Sequence, residues 1–438
     1  MSDLFRPLRW AWQRFKRDAV QLTLGGSWAN QLHYDVQHNL SRFWLDGLFA
    51  TASDNIVITY MTLFLLAVGA SPAQVGLQSA LSSLSAAVLL FPGAMLVERL
   101  GRRKLITVSA GGGVARMMLL LLALTPVFIA GPAGVYLAIA LVVTRDAFAN
   151  LSMPAWTSLT ADIIPLQWRG RYFASRNFAM SVGGIVATFL VGAFITQVGS
   201  PAGLQLALLL AFALGLVSTY SFSRIREPRP AAAPPAPGPE SLRALLAEVR
   251  AQPGFMALAG VTAVWNFSVN TAGPFFTPYM AESLKANAFE IGIFSIVTSV
   301  AGLPALRLFG NLADRWGPRR VQLITGLIIP LVPWMWMLSS RPWHVIPINA
   351  TAGFLWAGYN LAAFNFLLTL TPEARRARYS ALYQIVVTLS LAAGAAVGSL
   401  ITPRWGYQAV FFISGLGRLV AALLFARFVP APPAAASR

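Results

Sequence analysis

Three charged residues stand inside stretches that are otherwise almost wholly apolar. Asp54 lies in "ASDNIVITYMTLFLLAVG", and Arg145 and Asp146 lie in "LAIALVVTRDAFANL". In apolar surroundings burial disfavours an ionised carboxylate and a nearby guanidinium favours it, so such a pair can take up and release a proton or hold a small ion. Asp54 therefore reads as a protonation or cation site, with Arg145 as its partner or as an anchor for a solute. A permanent salt bridge between the two segments is the alternative. Asp146 belongs to the same group of coupling candidates, but on a helix it points about 100° away from Arg145 and is not its expected partner. A lone charge at the centre of a membrane costs on the order of 3 kcal/mol, so a function is the default explanation.

Uncharged polar residues extend the pattern. At helical spacing Gly47, Thr51, Asp54, Asn55, Thr59 and Thr62 form one stripe about 140° wide, which has to face a cavity or another helix. Asn349, Gly353, Trp356 and Asn360 fall within about 60° of one another. Asn266 and Asn270 precede Gly273, Pro274 and Pro278, which interrupt a helix and free backbone groups of the kind that line cavities. Thr51, Asn55, Asn266, Asn270, Asn349, Trp356 and Asn360 are thus candidates for a substrate cavity. Amides with an indole suit a neutral or polar organic solute. The same residues bracing helices against one another is the competing reading.

Other chemistry finds no support. Without cysteine there is no disulfide, thiol nucleophile or cysteine-ligated metal, and His33, His38 and His344 form no ligand cluster, so no metal is expected. Gly111-Gly112-Gly113 follows no strand and precedes no phosphate-loop lysine, so no nucleotide cofactor is expected. No nucleophile and base pair up within the apolar runs, which argues against an enzyme.

The elements that must position these residues are membrane spans. The chain has 438 residues, of which 56% are hydrophobic and only 11% charged; a soluble chain would carry about 25% charge. Apolar runs recur over 44–69, 73–96, 104–128, 133–158, 173–197, 202–222, 255–281, 287–309, 321–340, 344–369, 380–401 and 406–428, each long enough to cross a bilayer. The expected architecture is an all-α polytopic membrane protein with 12 transmembrane helices. The net charge of +18 would suggest nucleic acid in a soluble protein. Here the basic clusters at Arg6 to Arg42, Arg99 to Lys104, Arg169 to Arg176, Arg224 to Arg250, Arg315 to Arg320 and Arg375 to Arg378 fall on one side of the threading. Only Lys285, Arg341 and Arg404 fall in loops on the other. That bias places both termini in the cytoplasm and leaves nucleic acid unneeded. The first apolar run begins too late for a secretory signal. Residues 4–18 alternate basic and aromatic residues, like a helix lying on the membrane surface or a basic tail.

The segment "EPRPAAAPPAPGPES" is a proline-rich spacer, and it divides the chain. The expected organisation is an N-terminal segment 1–43, a six-helix bundle 44–222, a cytoplasmic linker 223–254, a second bundle 255–428 and a tail 429–438. The two bundles repeat one another. Glu98, Arg99, Gly101 and Arg103 align with Asp314, Arg315, Gly317 and Arg319 at an offset of 216, as Gln74-Val75-Gly76 does with Glu290-Ile291-Gly292. "PLQWRGRY" and "PEARRARY" align at an offset of 207, matching Arg171 with Arg378. An even number of spans per unit makes the repeat parallel. The charges do not repeat: Asp54 corresponds to Asn270, and Arg145 with Asp146 to Ala352 with Gly353.

The second copy of the loop, "GNLADRWGPRR" from Gly310 to Arg320, resembles the signature loop of the major facilitator superfamily. The first copy departs from it with Ala94 for the leading glycine and Glu98 for the aspartate. The resemblance spans about residues 44–428. It implies two six-helix bundles of the MFS fold that rock about a midplane site, giving alternating access. It also implies that Glu98, Arg99, Gly101, Arg103, Gly310, Asp314, Arg315, Gly317 and Arg319, with Arg171 and Arg378, form a cytoplasmic gate. A carboxylate at a helix end can hold both arginines and a neighbouring helix end, and simple anchoring of orientation is compatible with that role. "RDAFANL" lacks the glutamine and glycine of the family's antiporter motif, and "SVGGIVATFLVGAF" lacks its Gly-Pro pair.

The expected function is secondary active transport of small organic solutes, coupled to protons or another ion, by a monomer surrounded by lipid in the cytoplasmic membrane. A broad-specificity drug or metabolite exporter and a non-transporting sensor or partner subunit are the alternatives. Arg116 and Arg418 read as structural, and Gly394 with Gly398 as a packing pair.

Overall fold

The computed structural model describes residues 23–227, 252–371 and 376–430. The surface segment 4–18, most of the linker 223–254, the loop residues 372–375 and the tail beyond 430 lie outside the described residues. Those described form helices joined by short turns, with no strand among them.

The first six spans run as Tyr34–Ala67, Pro72–Leu100, Arg103–Phe128, Gly131–Ile163, Arg169–Val198 and Ala202–Ser223. Span one begins ten residues before its apolar run, because polar residues extend the helix beyond the hydrophobic stretch. Span seven is helix Pro253–Ala272, a 3-10 turn at Gly273–Phe275 and helix Phe276–Glu282. Pro274 has no N–H to continue the ladder, which accounts for the break. Then follow Ala288–Trp316, the pair Pro318–Ile328 and Leu331–Met337, and Val345–Leu370. Arg376–Phe428 carries spans eleven and twelve together, divided at Gly406, whose φ of 74° and ψ of −177° are non-helical. Ten helices among the described residues are long and apolar enough to cross a membrane, and the broken seventh and joined last spans account for the difference from twelve.

The repeat has a physical basis at each match. Spans two and eight open on equivalent caps. Gln74 N–H donates to Ser71 Oγ (3.3 Å) while Ser71 N–H donates to Gln74 Oε1 (2.9 Å). Glu290 N–H donates to Asn287 Oδ1 and Asn287 N–H to Glu290 Oε2, both at 2.9 Å. The capping box explains why a Gln and a Glu align there. The same spans end at Gly101 (φ +62°) and Gly317 (φ +81°), a conformation that costs glycine least. Tyr172 and Tyr379 are each fully buried and pack on a phenylalanine of the first span in their own half. Ring centroids lie 6.2 Å apart for Phe43–Tyr172 and 4.8 Å for Phe255–Tyr379.

Two compact units emerge. One draws on Met1–Met61, Val88–Ile129 and Thr144–Ala231, the other on Thr62–Ala87, Ala130–Val143 and Ala232–Arg438. In the first, a strap around the 3-10 turn Ser27–Gln31 crosses the start of the bundle. Leu24, Trp28 and Ala29 are buried with Leu40, Phe43, Leu159, Tyr172, Phe222 and Ile225. Trp28 stacks on Trp168 at 4.9 Å, and Ser175 Oγ donates to Thr23 O at 3.0 Å. In the second unit span eleven presses on span seven at Gly394 and Gly398, where a Cβ would stand 2.2 Å from Phe267 O and 2.3 Å from Thr271 O. Both glycines are therefore contact points between helix backbones. Gly76 likewise meets the Phe275 ring and Ser399.

Candidate functional site

Asp54 is the hub of a charged cluster. Its Oδ1 accepts from Arg145 Nη2 at 3.2 Å and from Arg116 Nη1 at 2.7 Å. Arg145 Nη1 donates in turn to Asp146 Oδ1 at 2.8 Å. One expectation needs correcting. Asp146 is a partner of Arg145 after all: a long side chain folds back across the 100° that separates their Cα–Cβ directions. Arg116, read as structural, makes the shorter of Asp54's two arginine contacts.

Arg116 reaches Asp54 because span three is locally unwound. Thr107–Val114 forms a π-helix between Arg103–Ile106 and Ala115–Phe128. Such widened turns recur at functional sites. The three glycines lie within it, and they let neighbours approach. A Cβ at Gly111 would stand 2.5 Å from Ser152 Oγ, and one at Gly112 2.4 Å from Thr219 Cγ2. The Arg116 side chain then crosses span six at Gly215, where a Cβ would stand 2.6 Å from its Cδ. Ser53 completes the setting: Arg116 Nη1 donates to Ser53 Oγ (3.0 Å), which donates to Ala211 O (2.7 Å).

This cluster borders a cavity of about 320 Å³ inside the first unit. Gly47, Thr51, Asp54, Arg116 and Arg145 line it, as do Asp46, Arg176 and Ser218. Asp54 keeps 41% of its side chain exposed, whereas Arg116 and Arg145 keep 12% and 15%. The carboxylate is thus the accessible member of the group. Asn55 lies outside the lining set; its Nδ2 donates to Thr51 O at 2.9 Å, and it packs on Gly184 of span five.

Asp46 and Arg176 escaped the sequence reading. Arg176 was counted among the orientation charges, and Asp46 sits where the first apolar run begins. In the structure Asp46 Oδ1 accepts from Ser218 Oγ at 2.7 Å, while Arg176 Nη2 stays 3.9 Å from Oδ2. The guanidinium lies over the Phe43 ring, 4.0 Å from its centroid, and its Nε donates to Phe43 O. The one signal available was Gly47 beside Asp46: a Cβ there would overlap the guanidinium at 2.4 Å.

The second unit holds a cavity of about 310 Å³ with no charged residue in its lining. Trp265 stacks on Tyr359 (4.5 Å, 13°), and Trp356 stands edge-on to both. Asn266, Asn360 and Gln384 supply amides to the same wall. Asn270 and Asn349 face elsewhere: their Nδ2 groups donate to Leu391 O (2.7 Å) and Phe294 O (3.1 Å), tying neighbouring spans together. Bracing wins for these two because a backbone carbonyl lies within reach. Arg418 is buried as well, with Nη2 donating to Val269 O at 3.3 Å.

The duplicated loops tie each half to the end of its own last span. Arg103 is buried; it donates to Asp162 Oδ2 and to Glu227 Oε1 (3.3 Å), and Lys104 Nζ donates to Ile225 O (3.1 Å). Its counterpart Arg319 donates to Val429 O (3.0 Å) and Ala426 O (3.1 Å). Glu98, Arg99, Asp314 and Arg315 are exposed, and Arg171 lies over the Trp168 ring at 5.2 Å. Arg103 holds two carboxylates and Arg319 only carbonyls. Arg103→Gln should therefore cost about 1.5–3 kcal/mol, clearly more than Arg319→Gln, in thermal unfolding of the detergent-purified protein.

Comparison with known proteins follows the same lines. The sequence profile of the Major Facilitator Superfamily matches residues 43–271 and 258–438. The multi-drug resistance efflux pump PmrA of Streptococcus pneumoniae is 23% identical over 393 residues, 86% of this chain and 92% of that protein. The enterobactin exporter EntS of Shigella boydii is 26% identical over 366 residues, 80% of this chain and 82% of that protein. Among solved structures, the nucleoside transporter NupG superposes with a TM-score of 0.68 at 11% identity, covering 89% of this chain and 98% of that one. The D-xylose-proton symporter gives 0.66 at 16%, covering 90% and 97%.

Proposed function

The chain belongs to the Major Facilitator Superfamily and is an integral, multi-pass membrane transporter rather than an enzyme, and on that premise we propose that protons drive it and that Asp54 carries them. The observation that supports this most directly is the Asp54 carboxylate, held by two partly buried arginines yet open to a cavity. Both guanidiniums donate to the one carboxylate oxygen, so any movement of spans three or four that lengthens either contact changes what that carboxylate bonds. Coupling then follows from which conformation holds the proton.

The solute is a small, uncharged or weakly polar organic molecule. Its flat face stacks on the indoles and phenol of the second cavity, and its hydrogen-bonding edge meets Asn266, Asn360 and Gln384. Trp356→Ala should raise the dissociation constant of such a solute about tenfold, the equivalent of about 1.4 kcal/mol of ring contact, read as loss of ligand-induced thermal stabilisation. The relatives that include a multi-drug resistance efflux pump and an enterobactin exporter favour export over uptake. Both termini lie in the cytoplasm on this reading, since the basic clusters gather on that side of the threading, and the protein works as a monomer in the cytoplasmic membrane.

The test is proton movement in everted vesicles that hold a pH gradient, reported by acridine orange. Adding Hoechst 33342, a nucleoside or a pentose should collapse part of the gradient when the compound is carried. The effect should be absent from vesicles without the protein. No response to any of these probes would overturn the proton-coupled reading.

A further inference from the structure

A second carboxylate shares the cavity with Asp54, on the same span. Asp46 and Asp54 are eight residues apart, about 12 Å along the helix axis. Both border one space walled by spans one, three, four, five and six. Thr51, Thr107, Ser152, Ser218 and Thr219 are among the residues that line it, beside a larger apolar share that includes Trp156, Met180 and Phe222. A cavity of about 320 Å³ has room for roughly ten waters at ~30 Å³ each, and the polar side chains in its wall give such waters partners.

Asp46 is set up unlike a structural ion pair. It is buried, being 6% exposed, yet among the described residues Ser218 Oγ at 2.7 Å is its one close side-chain donor. The charged and titratable groups around it are Arg176 at 3.9 Å and Tyr172 from span five, Arg116 from span three, and Asp54 on its own span. Arg176 is turned aside by its contacts with Phe43, so Oδ2 keeps room for a proton. The Arg176 guanidinium is thus a countercharge at 3.9 Å with no hydrogen bond to Asp46.

We infer that Asp46 is a second proton-carrying carboxylate, and that the cavity is the wet passage connecting it to Asp54. The step balances simply. Asp46 gives its proton to the nearest water, a chain of three or four waters at about 2.8 Å spacing passes a proton along, and the last protonates Asp54. Asp46 is left as a carboxylate that takes up the next proton from the end of the bundle where span one begins. Protons then travel through the interior of the first bundle, along the cavity that Arg116 and Arg145 also line. The inference rests on the proton-coupled reading of Asp54, and it adds a site and a route to that reading.

Infrared difference spectroscopy of the purified full-length protein, titrated over the pH range it tolerates, tests the site without any solute. Among the carboxylic-acid C=O bands that grow as the pH falls, Asp46→Asn should remove one and Asp54→Asn a different one. Should Asp46→Asn not fold, Ser218→Ala serves instead, and it should move the pH midpoint of the Asp46 band. A titration unchanged by either variant, or an Asp46 band present at every pH, overturns the inference. Loss of the Asp54 band alone from the picture would instead sink the preceding reading of Asp54 while leaving Asp46 as a titrating group. The passage is tested separately. The chain has no cysteine, so Thr219→Cys provides its sole thiol, and a charged, water-soluble methanethiosulfonate should modify it. Failure of that thiol to react would show the cavity dry and remove the route.

Discussion

Asp54→Asn should reduce gradient-driven accumulation to equilibrium while leaving solute exchange intact. Each pH unit is worth about 1.4 kcal/mol per proton, so a gradient of two units sustains roughly a 100-fold concentration ratio for one-to-one coupling. In the variant the ratio should fall to about 1. Asparagine suits the test because its carbonyl oxygen can still accept from Arg116 and Arg145, as Asp54 Oδ1 does. Removing the acceptor altogether would leave Arg116 with Ser53 and Arg145 with Asp146 as their remaining partners and confuse loss of coupling with loss of fold. The measurement is a pair of assays in proteoliposomes, using whichever of the vesicle probes is carried. One reads accumulation under a pH gradient and the other counterflow without one. Loss of both would assign Asp54 to solute binding or to architecture, and retention of both would remove it from coupling.

The largest expected effect on stability lies in the second unit. Gly353→Leu should prevent the second bundle from forming. A Cβ at Gly353 would stand 2.1 Å from Thr298 O, a backbone atom of span eight that no side-chain rotation can move aside. One turn earlier Asn349 bonds Phe294 O on the same span, so separating the helices at Gly353 also strains that bond. Even alanine should cost about 1–3 kcal/mol by overpacking, and leucine should leave little monodisperse protein after detergent extraction. Gly260→Ala is the matched control. Nothing lies within 4 Å of its Cβ position, so replacing a helical glycine there should gain about 0.5–1 kcal/mol. Equal behaviour of the two variants on heating would show that backbone proximity does not govern this pairing.

The spans and their repetition were readable because apolar run length and turn residues are local properties. The alignment of Gln74 with Glu290 marked two capping interactions, and that of Gly101 with Gly317 marked two left-handed turns, each written in a few consecutive residues. The site was readable only in part. Asp54 and Arg145 announced themselves as charges in apolar runs. Arg116 did so too, but its partner depended on the π-helix of span three and on the absence of a side chain at Gly215, neither of which hydropathy reveals. Asp46 and Arg176 hid at span ends, where charge is commonplace. Asn270 and Asn349 could not be separated from Asn266 and Asn360 by periodicity, since a carbonyl on a neighbouring span decides which amide is left to face the cavity.

The strap at Leu24 and Trp28 has a consequence for how the protein is made. Its seat includes Leu159, Tyr172, Phe222 and Ile225, so a segment made before span one docks in part on residues made with and after span six. At about 5–20 residues per second, the roughly 200 residues that separate Leu24 from Ile225 take about 10–40 s to synthesise. For that time two large apolar side chains wait without a place to bury. Their docking coincides with completion of span six, and a nascent chain that stalls earlier displays a tryptophan which the finished bundle conceals.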